Sequence, residues 1–270
     1  MMNMDVLPER HRVARNSPLA ERLDKLRERV AEASIRAKRD PAEITLVAVT
    51  KTAAPEEIRE LLSLGVHDLG ENQPKQLIQR ATQLQELATR RSQYAESAPP
   101  PEKVRWHMIG HLQRNKAKPL LPLVNLVHSL DSLRLAEELD AQAAKIERRI
   151  PVLMQINASE ESQKSGVAVG AAIHLAEQID SMPHLQFTGL MTMAELTDDE
   201  SKIRNAFSRT RELFEEMKWH KIGGANLRHL SMGMSGDFEL AIAEGATMLR
   251  IGSLLFGGRA DADDAEEEDA

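Results

Sequence analysis

Lys51 closes the run Ile44-Thr45-Leu46-Val47-Ala48-Val49-Thr50, a mostly β-branched and apolar stretch that reads as a strand buried on both faces. An ammonium buried without a partner costs, roughly, several kcal/mol unless it loses its proton. Desolvation lowers a lysine pKa, and a neutral amine attacks carbonyl carbon. A lysine in this place is therefore a candidate nucleophile. The plainer alternative is a side chain that snorkels from the rim of the sheet to solvent.

Two later stretches could hold an anion opposite that lysine. Ser231-Met232-Gly233-Met234-Ser235-Gly236-Asp237 runs off one strand into a helix, and Arg250-Ile251-Gly252-Ser253 repeats the device at the end of the last strand. Glycine lets backbone N–H groups approach a phosphate closely, and hydroxyls add donors. Both residue types are also common in ordinary turns. Arg250 is expected to point toward the same mouth, or else to pair with an acidic strand end such as Glu71 or Asp131. A desolvated amine, an anion cradle and an arginine together suit pyridoxal 5′-phosphate (PLP), which needs a Schiff-base lysine, a phosphate grip and a partner for its ring nitrogen. Arginine stays protonated, so it would leave that nitrogen unprotonated and the cofactor a weak electron sink.

The elements that must position these residues alternate. Ser17-Pro18 makes a helix start, and Leu19, Leu23, Leu26, Val30 and Ala33 form one apolar stripe on a helix reaching about Arg39, where Asp40-Pro41 stops it. Strands follow at 44–51, 66–72, 105–110, 126–131, 151–157, 185–193, 227–234 and 247–255, with helices at 55–64, 74–91, 116–121, 133–147, 170–181, 200–217 and 237–243. Eight strands in an α/β alternation predict a single (β/α)8 TIM barrel with parallel pairing. The extra N-terminal helix is expected to cap one end of it. The alternative, an open doubly wound sheet, lacks its G-x-G-x-x-G after the first strand. Residues 17–258 would form the barrel, 1–16 a flexible extension and 259–270 a disordered acidic tail. In such a barrel chemistry collects where strands end. Those ends carry Lys51, Glu71-Asn72, His107 and His111, Ser129 and Asp131, Gln155 and Asn157, Ser231 to Ser235 and Arg250 to Ser253.

Composition bounds the rest. A formal charge of −7 over 270 residues argues against a general nucleic-acid role. There is no cysteine, which excludes disulfides and thiolate sites. No apolar run reaches the ~18 residues of a membrane span and no signal peptide opens the chain, so a cytoplasmic protein is expected. The histidines show no metal-binding spacing. His107 and His229 lie on strands, where hydrogen-bonded core histidines are the plainer reading than cofactor contacts. Lys75, Lys116 and Lys118 are either a secondary basic patch or a solvated surface.

Taken in order, Val47-Ala48-Val49-Thr50-Lys51, Gly70-Glu71-Asn72, Trp106-His107-Met108-Ile109-Gly110-His111-Leu112-Gln113-Arg114-Asn115-Lys116, Lys164-Ser165-Gly166, Gly189-Leu190-Met191, Leu230-Ser231-Met232-Gly233-Met234-Ser235 and Arg250-Ile251-Gly252-Ser253 resemble the YggS/PROSC-type PLP homeostasis proteins. The likeness covers residues 17 to 258. It implies a barrel like the N-terminal domain of alanine racemase, binding PLP without an established reaction. By resemblance Lys51 forms the Schiff base, Asn72 lines the cofactor face, Ser231, Gly252 and Ser253 hold the phosphate, and Arg250 faces the ring nitrogen. No catalytic residue and no metal are expected. The implied role is a monomeric carrier that hands PLP to PLP-dependent apo-enzymes. His111 stands where the family often has proline, and Gly258-Arg259-Ala260-Asp261 replaces the usual Arg-Asp-Tyr ending. The alternatives are an amino-acid racemase or lyase using PLP, and a barrel enzyme forming a sugar-phosphate Schiff base. Racemisation needs a base on each face of the substrate carbon. The only tyrosine, Tyr94, is expected in a polar loop before the third strand, and the chain is expected to lack the second domain that supplies the other base in barrel racemases.

Overall fold

The computed structural model describes residues 17–94, 103–159 and 165–258. The expected extension, the acidic tail and Lys164 lie outside the described residues. The strands are β1 Thr45–Val49, β2 Asp68–Glu71, β3 Arg105–Met108, β4 Leu126–Leu130, β5 Ile150–Asn157, β6 Val167–Ala168, β7 Leu185–Thr192, β8 His229–Ser231 and β9 Met248–Ile251. All pairings are parallel, in the order β4-β3-β2-β1-β9-β8-β7-β5, and a β4–β5 pairing closes the ring. Eight strands thus make the expected barrel. The two-residue β6 adds to the C-terminal end of β5 and was not expected; it pairs Val167 with Ile156 just past Ser165-Gly166.

The helices are α1 Pro18–Arg36, α2 Pro55–Ser63, α3 Pro74–Tyr94, α4 Ala117–Leu120, α5 Leu133–Lys145, α6 Val169–Asp180, α7 Glu200–Trp219, α8 Phe238–Ala243 and a final turn, α9 Ser253–Phe256. Ser17 caps α1 by accepting the Ala20 N–H at 3.0 Å, the geometry that Ser-Pro favours. Gly65, at φ +80°, ends α2. Helix α3 runs to Tyr94, so the tyrosine ends a helix instead of lying in a loop.

Helix α1 does not cap an end of the barrel. Its apolar stripe of Leu19, Leu23, Leu26 and Ala33 is buried, and its polar edges bond to the elements on either side. Ser17 hydrogen-bonds Glu60 of α2. Arg22 donates to the Leu255 carbonyl at 2.6 Å, Arg29 pairs with Glu239 of α8, and Arg39 donates to the carbonyls of Ile242 and Ala246. The helix therefore takes the seat between α8 and α2 in the outer ring, beside the short α9 turn that follows β9. A free apolar stripe is what obliges it to lie flat on the barrel wall.

The last two strands are shorter than the sequence pattern suggested. Gly233, at φ +96°, turns the chain out of β8, and a Cβ there would lie 2.6 Å from that of Ala241. After Ile251 the chain leaves β9 at Gly252 and enters the α9 turn. Gly189 is also required: a Cβ there would sit 1.9 Å from the His229 carbonyl oxygen, so only glycine lets β7 and β8 approach this closely. The aliphatic core lies between barrel and helices, with Leu126, Leu153, Met191 and Met248 forming a separate buried cluster on the inner strand faces. The buried polar residues Asp68, His107, His128, Ser231 and Arg250 also come from these strands.

Candidate functional site

Lys51 stands two residues beyond Val49, the last residue of β1, and its surroundings hold it there. Arg80 reaches in from α3. Its Nη1 donates to the Thr50 carbonyl and lies 2.5 Å from Glu71 Oε1, while Nη2 donates to the carbonyls of Lys51 at 3.3 Å and Ala53 at 3.1 Å. The Thr50 hydroxyl donates to the same Glu71 oxygen. Glu71 is fully buried; burial pushes its pKa up, against the opposing pull of Arg80 and Thr50. One guanidinium thus ties the turn that carries Lys51 to the end of β2. Val49 pairs with Gly70, and Lys51 and Asn72 each stand two residues past that pair, beyond the ends of β1 and β2. Asn72 Oδ1 is buried and has no hydrogen-bond partner among the described residues.

The two glycine loops meet beside this corner. A Cβ on Gly252 would lie 3.4 Å from the Cβ and the carbonyl oxygen of Val49. The Leu254 N–H approaches Ser235 Oγ at 3.4 Å and the Arg250 N–H donates to the Gly233 carbonyl at 3.0 Å, so the loop after β8 is joined to the end of β9. Asp237 accepts the Met234 N–H at 2.5 Å and shapes the first of these loops.

Arg250 is buried in the barrel and pairs with neither Glu71 nor Asp131, which go to Arg80 and His111. Its Nη1 donates to Ser231 at both the carbonyl oxygen (2.8 Å) and Oγ (2.7 Å), and its Nη2 to the Thr192 carbonyl at 2.9 Å. Burial lowers its pKa to about 10, opposed by Asp237, which leaves it a cation at neutral pH. Ser231, expected at the phosphate, is turned inward. Its hydroxyl is fully buried and shared between Arg250 and His128. The hydroxyl that the β8 loop carries to the β9 loop is that of Ser235.

Sequence reasoning missed the buttress and the interior. Arg80 was readable in principle, because it lies on the same helical face as buried Leu77 and Ala81, where an arginine needs an internal partner. His107 and His128 are core histidines bonded to each other at 2.9 Å. Burial, then the neighbouring His107 and Arg250, holds His128 well below the usual imidazole range, and burial followed by Arg228 and His107 brings His229 to about 4. Among the described residues no cluster of His, Asp and Glu could hold a metal. Lys75, Lys116 and Lys118 are exposed. A cavity of about 510 Å³ opens at the opposite end of the first strands, lined by residues including Leu26, Val30, Ile44, Leu46, Val66 and Asp68. The candidate site is instead the mouth, where Lys51 stands beside the two joined glycine loops.

The family model described as alanine racemase, N-terminal domain, matches residues 18–260. The chain belongs to this family. Among curated relatives, the pyridoxal phosphate homeostasis protein of Pseudomonas aeruginosa is 37% identical over 243 residues, covering 90% of this chain and 96% of that protein. A crystal structure described as an unknown protein from Bifidobacterium adolescentis superposes with a TM-score of 0.79 at 34% identity, over 94% of this chain and 98% of its own. PipY of Synechococcus elongatus PCC7942, solved with PLP bound, superposes with a TM-score of 0.70 at 31% identity, over 88% of this chain and all of its own (100%). Family membership agrees with the barrel. Among the described residues no helix is long and apolar enough to cross a membrane.

Proposed function

We propose that this chain binds PLP through Lys51 at the C-terminal mouth of the barrel and serves PLP homeostasis as a carrier, with residues 17–258 as the binding unit. The observation that carries the reading is the meeting of Lys51, two joined glycine loops and a buried arginine at one barrel end, in a chain whose relative PipY is solved with PLP. Bound PLP supplies an aldehyde that condenses reversibly with amines. The residues present fit such a ligand. Asn72 Oδ1 is a buried acceptor that lacks a donor and would take the ring hydroxyl. Arg250 spends three of its five N–H donors on Ser231 and Thr192, which leaves two for a ring nitrogen. Ser235, Gly252 and Ser253 would hold the phosphate. The inward Ser231 would act through Arg250 instead.

The same groups argue for holding the cofactor over turning substrates over. Arg250 stays charged and so keeps a ring nitrogen unprotonated. Tyr94, the only tyrosine of the chain, ends α3, a helix of 21 residues that starts at the mouth; its last turn lies ~30 Å from its first. A second base of the kind racemisation needs is therefore not placed near Lys51 by this tyrosine. Transfer to apo-enzymes uses the open end of the barrel. Borohydride reduction of the PLP-loaded protein followed by peptide mapping should place the adduct on Lys51. An adduct only on Lys75 or Lys164 refutes the assignment. Deuterium entering the α-position of alanine at enzymatic rates, and lost in Lys51→Ala, would make the protein a racemase.

A further inference from the structure

The polar groups inside the barrel form a single chain. Arg250 Nη1 lies 2.7 Å from Ser231 Oγ, Ser231 Oγ 2.9 Å from His128 Nδ1, His128 Nε2 2.9 Å from His107 Nδ1, and His107 Nε2 3.0 Å from Asp68 Oδ1. Arg105 holds both oxygens of Asp68 from the opposite rim. The five residues from Arg250 to Asp68 come from β9, β8, β4, β3 and β2 and all are buried. The chain therefore crosses the barrel from the ligand mouth to the ends where the strands begin.

Its hydrogens have one consistent arrangement. Asp68, a carboxylate between Arg105 and His107, can only accept, so His107 Nε2 carries a hydrogen. If His107 is neutral, its Nδ1 accepts, and His128 Nε2 must be the donor. His128 Nδ1 then accepts the Ser231 hydroxyl, whose oxygen in turn accepts from Arg250. A doubly protonated His107 would force a hydrogen onto His128 Nδ1. Ser231 Oγ would then face two donors, and its own hydrogen would lose the only acceptor it has among the described residues. Every bond in the consistent arrangement runs the same way, from the guanidinium to the carboxylate.

We propose that Asp68, His107, His128 and Ser231 are positioning residues forming a one-way hydrogen-bond chain that fixes Arg250 as a donor toward the bound ring. With the Ser231 hydrogen committed to His128, its oxygen is left to Arg250 as a pure acceptor. Both Nη1 hydrogens and one on Nη2 are then taken, and the guanidinium cannot turn. Asp68, at the opposite end of the chain from the ligand, thereby influences affinity at the mouth. This last step rests on the proposed role of Arg250; the hydrogen arrangement does not.

The test begins with the ligand-free full chain labelled with ¹⁵N-histidine. Long-range ¹H–¹⁵N correlation at neutral pH should show His107 and His128 both neutral with the hydrogen on Nε2. A hydrogen on Nδ1 of either ring overturns the proposal, whether or not PLP binds and whether or not any variant folds. Asp68→Leu should give mixed tautomers at both rings and bind PLP about tenfold more weakly, the loss expected of one mis-set charge-assisted hydrogen bond. Asp68→Asn keeps an acceptor and should recover most of both properties. A folded Asp68→Leu protein with wild-type histidine spectra and wild-type PLP affinity refutes the coupling. If the wild-type chain fails to bind PLP at all, the functional reading falls while the tautomers still decide the chain.

Discussion

Replacing Arg80 by methionine removes the group that ties the Lys51 turn to β2, and its cost follows from what is left behind. The Arg80 side chain is 18% exposed and that of Glu71 is 0% exposed, with 2.5 Å between them. Glu71 Oε2 already has no partner among the described residues, so without Arg80 the carboxyl keeps only the Thr50 hydroxyl. Breaking a buried ion pair at one partner costs about 3–5 kcal/mol, because a charge is stranded in a poorly solvated place. For a domain of this size each kcal/mol moves the melting temperature by ~2–4 °C, so Arg80→Met should melt about 6–20 °C below the wild type.

The pH dependence gives the sharper test. Burial sets the folded pKa of Glu71 above its ordinary 4.5. A carboxyl raised in this way favours the fold most when protonated, and that advantage is lost as pH rises through the folded value. Removing the cation raises the folded value further. The penalty of Arg80→Met should therefore be largest in mildly alkaline buffer and shrink as the pH falls toward 5. Adding Glu71→Gln removes the stranded charge and should restore several degrees. Calorimetric or dichroism melts across pH measure all of this. An Arg80→Met protein within ~1 kcal/mol of wild type at pH 8, or a double variant no more stable than the single one, would show that the pair is not an isolated buried ion pair of the kind described.

Three further outcomes are expected. Gly252→Asp has room beside Val49 and should fold, yet weaken PLP binding by about 100-fold by facing a phosphate with a like charge; unchanged affinity by absorbance titration would remove the phosphate from that loop. Gly233→Ala combines φ +96° with a Cβ 2.6 Å from Ala241, and should cost about 2 kcal/mol or more in denaturant melts as the loop is forced open; a wild-type midpoint would contradict the loop geometry. Burial works to raise the Asp68 pKa, but its bonds to Arg105 and His107 bring it from 3.8 to about 2. The stability it contributes is present above pH ~4 and lost as the pH falls through 2, so Asp68→Asn should flatten the acid limb of the stability profile there.

The barrel was legible because its strands repeat one composition, a short apolar run closed by a polar or glycine residue, and the count of eight carries the topology with it. What could not be read is contact between distant elements. The α1 stripe announced a buried helix face, but apart from Glu60 of α2 the partners named for its seat, Leu255, Glu239, Ile242 and Ala246, are more than 200 residues away in the chain. At the site, pleat parity separates the residues that the strands turn inward from those that the loops carry. Counting back by twos from Lys51 places Val49 and Val47 on the inner face, and the same count joins Asn72, Gly70 and Asp68, Gly233, Ser231 and His229, and Gly252, Arg250 and Met248. Ser231 shares parity with His229 in the barrel, whereas Ser235 lies beyond the turn at Gly233 and escapes the pleat; that distinction was available in the sequence and underlies the proposal that Ser235, not Ser231, meets the phosphate. Which inner residues meet was not available. His128 touches Ser231 across the barrel because closure and stagger bring β4 opposite β8, and no spacing along the chain encodes that meeting. An interior that carries two histidines, an aspartate and an arginine can be buried at tolerable cost only if nearly every donor finds an acceptor, so the stagger that joins them is itself under constraint.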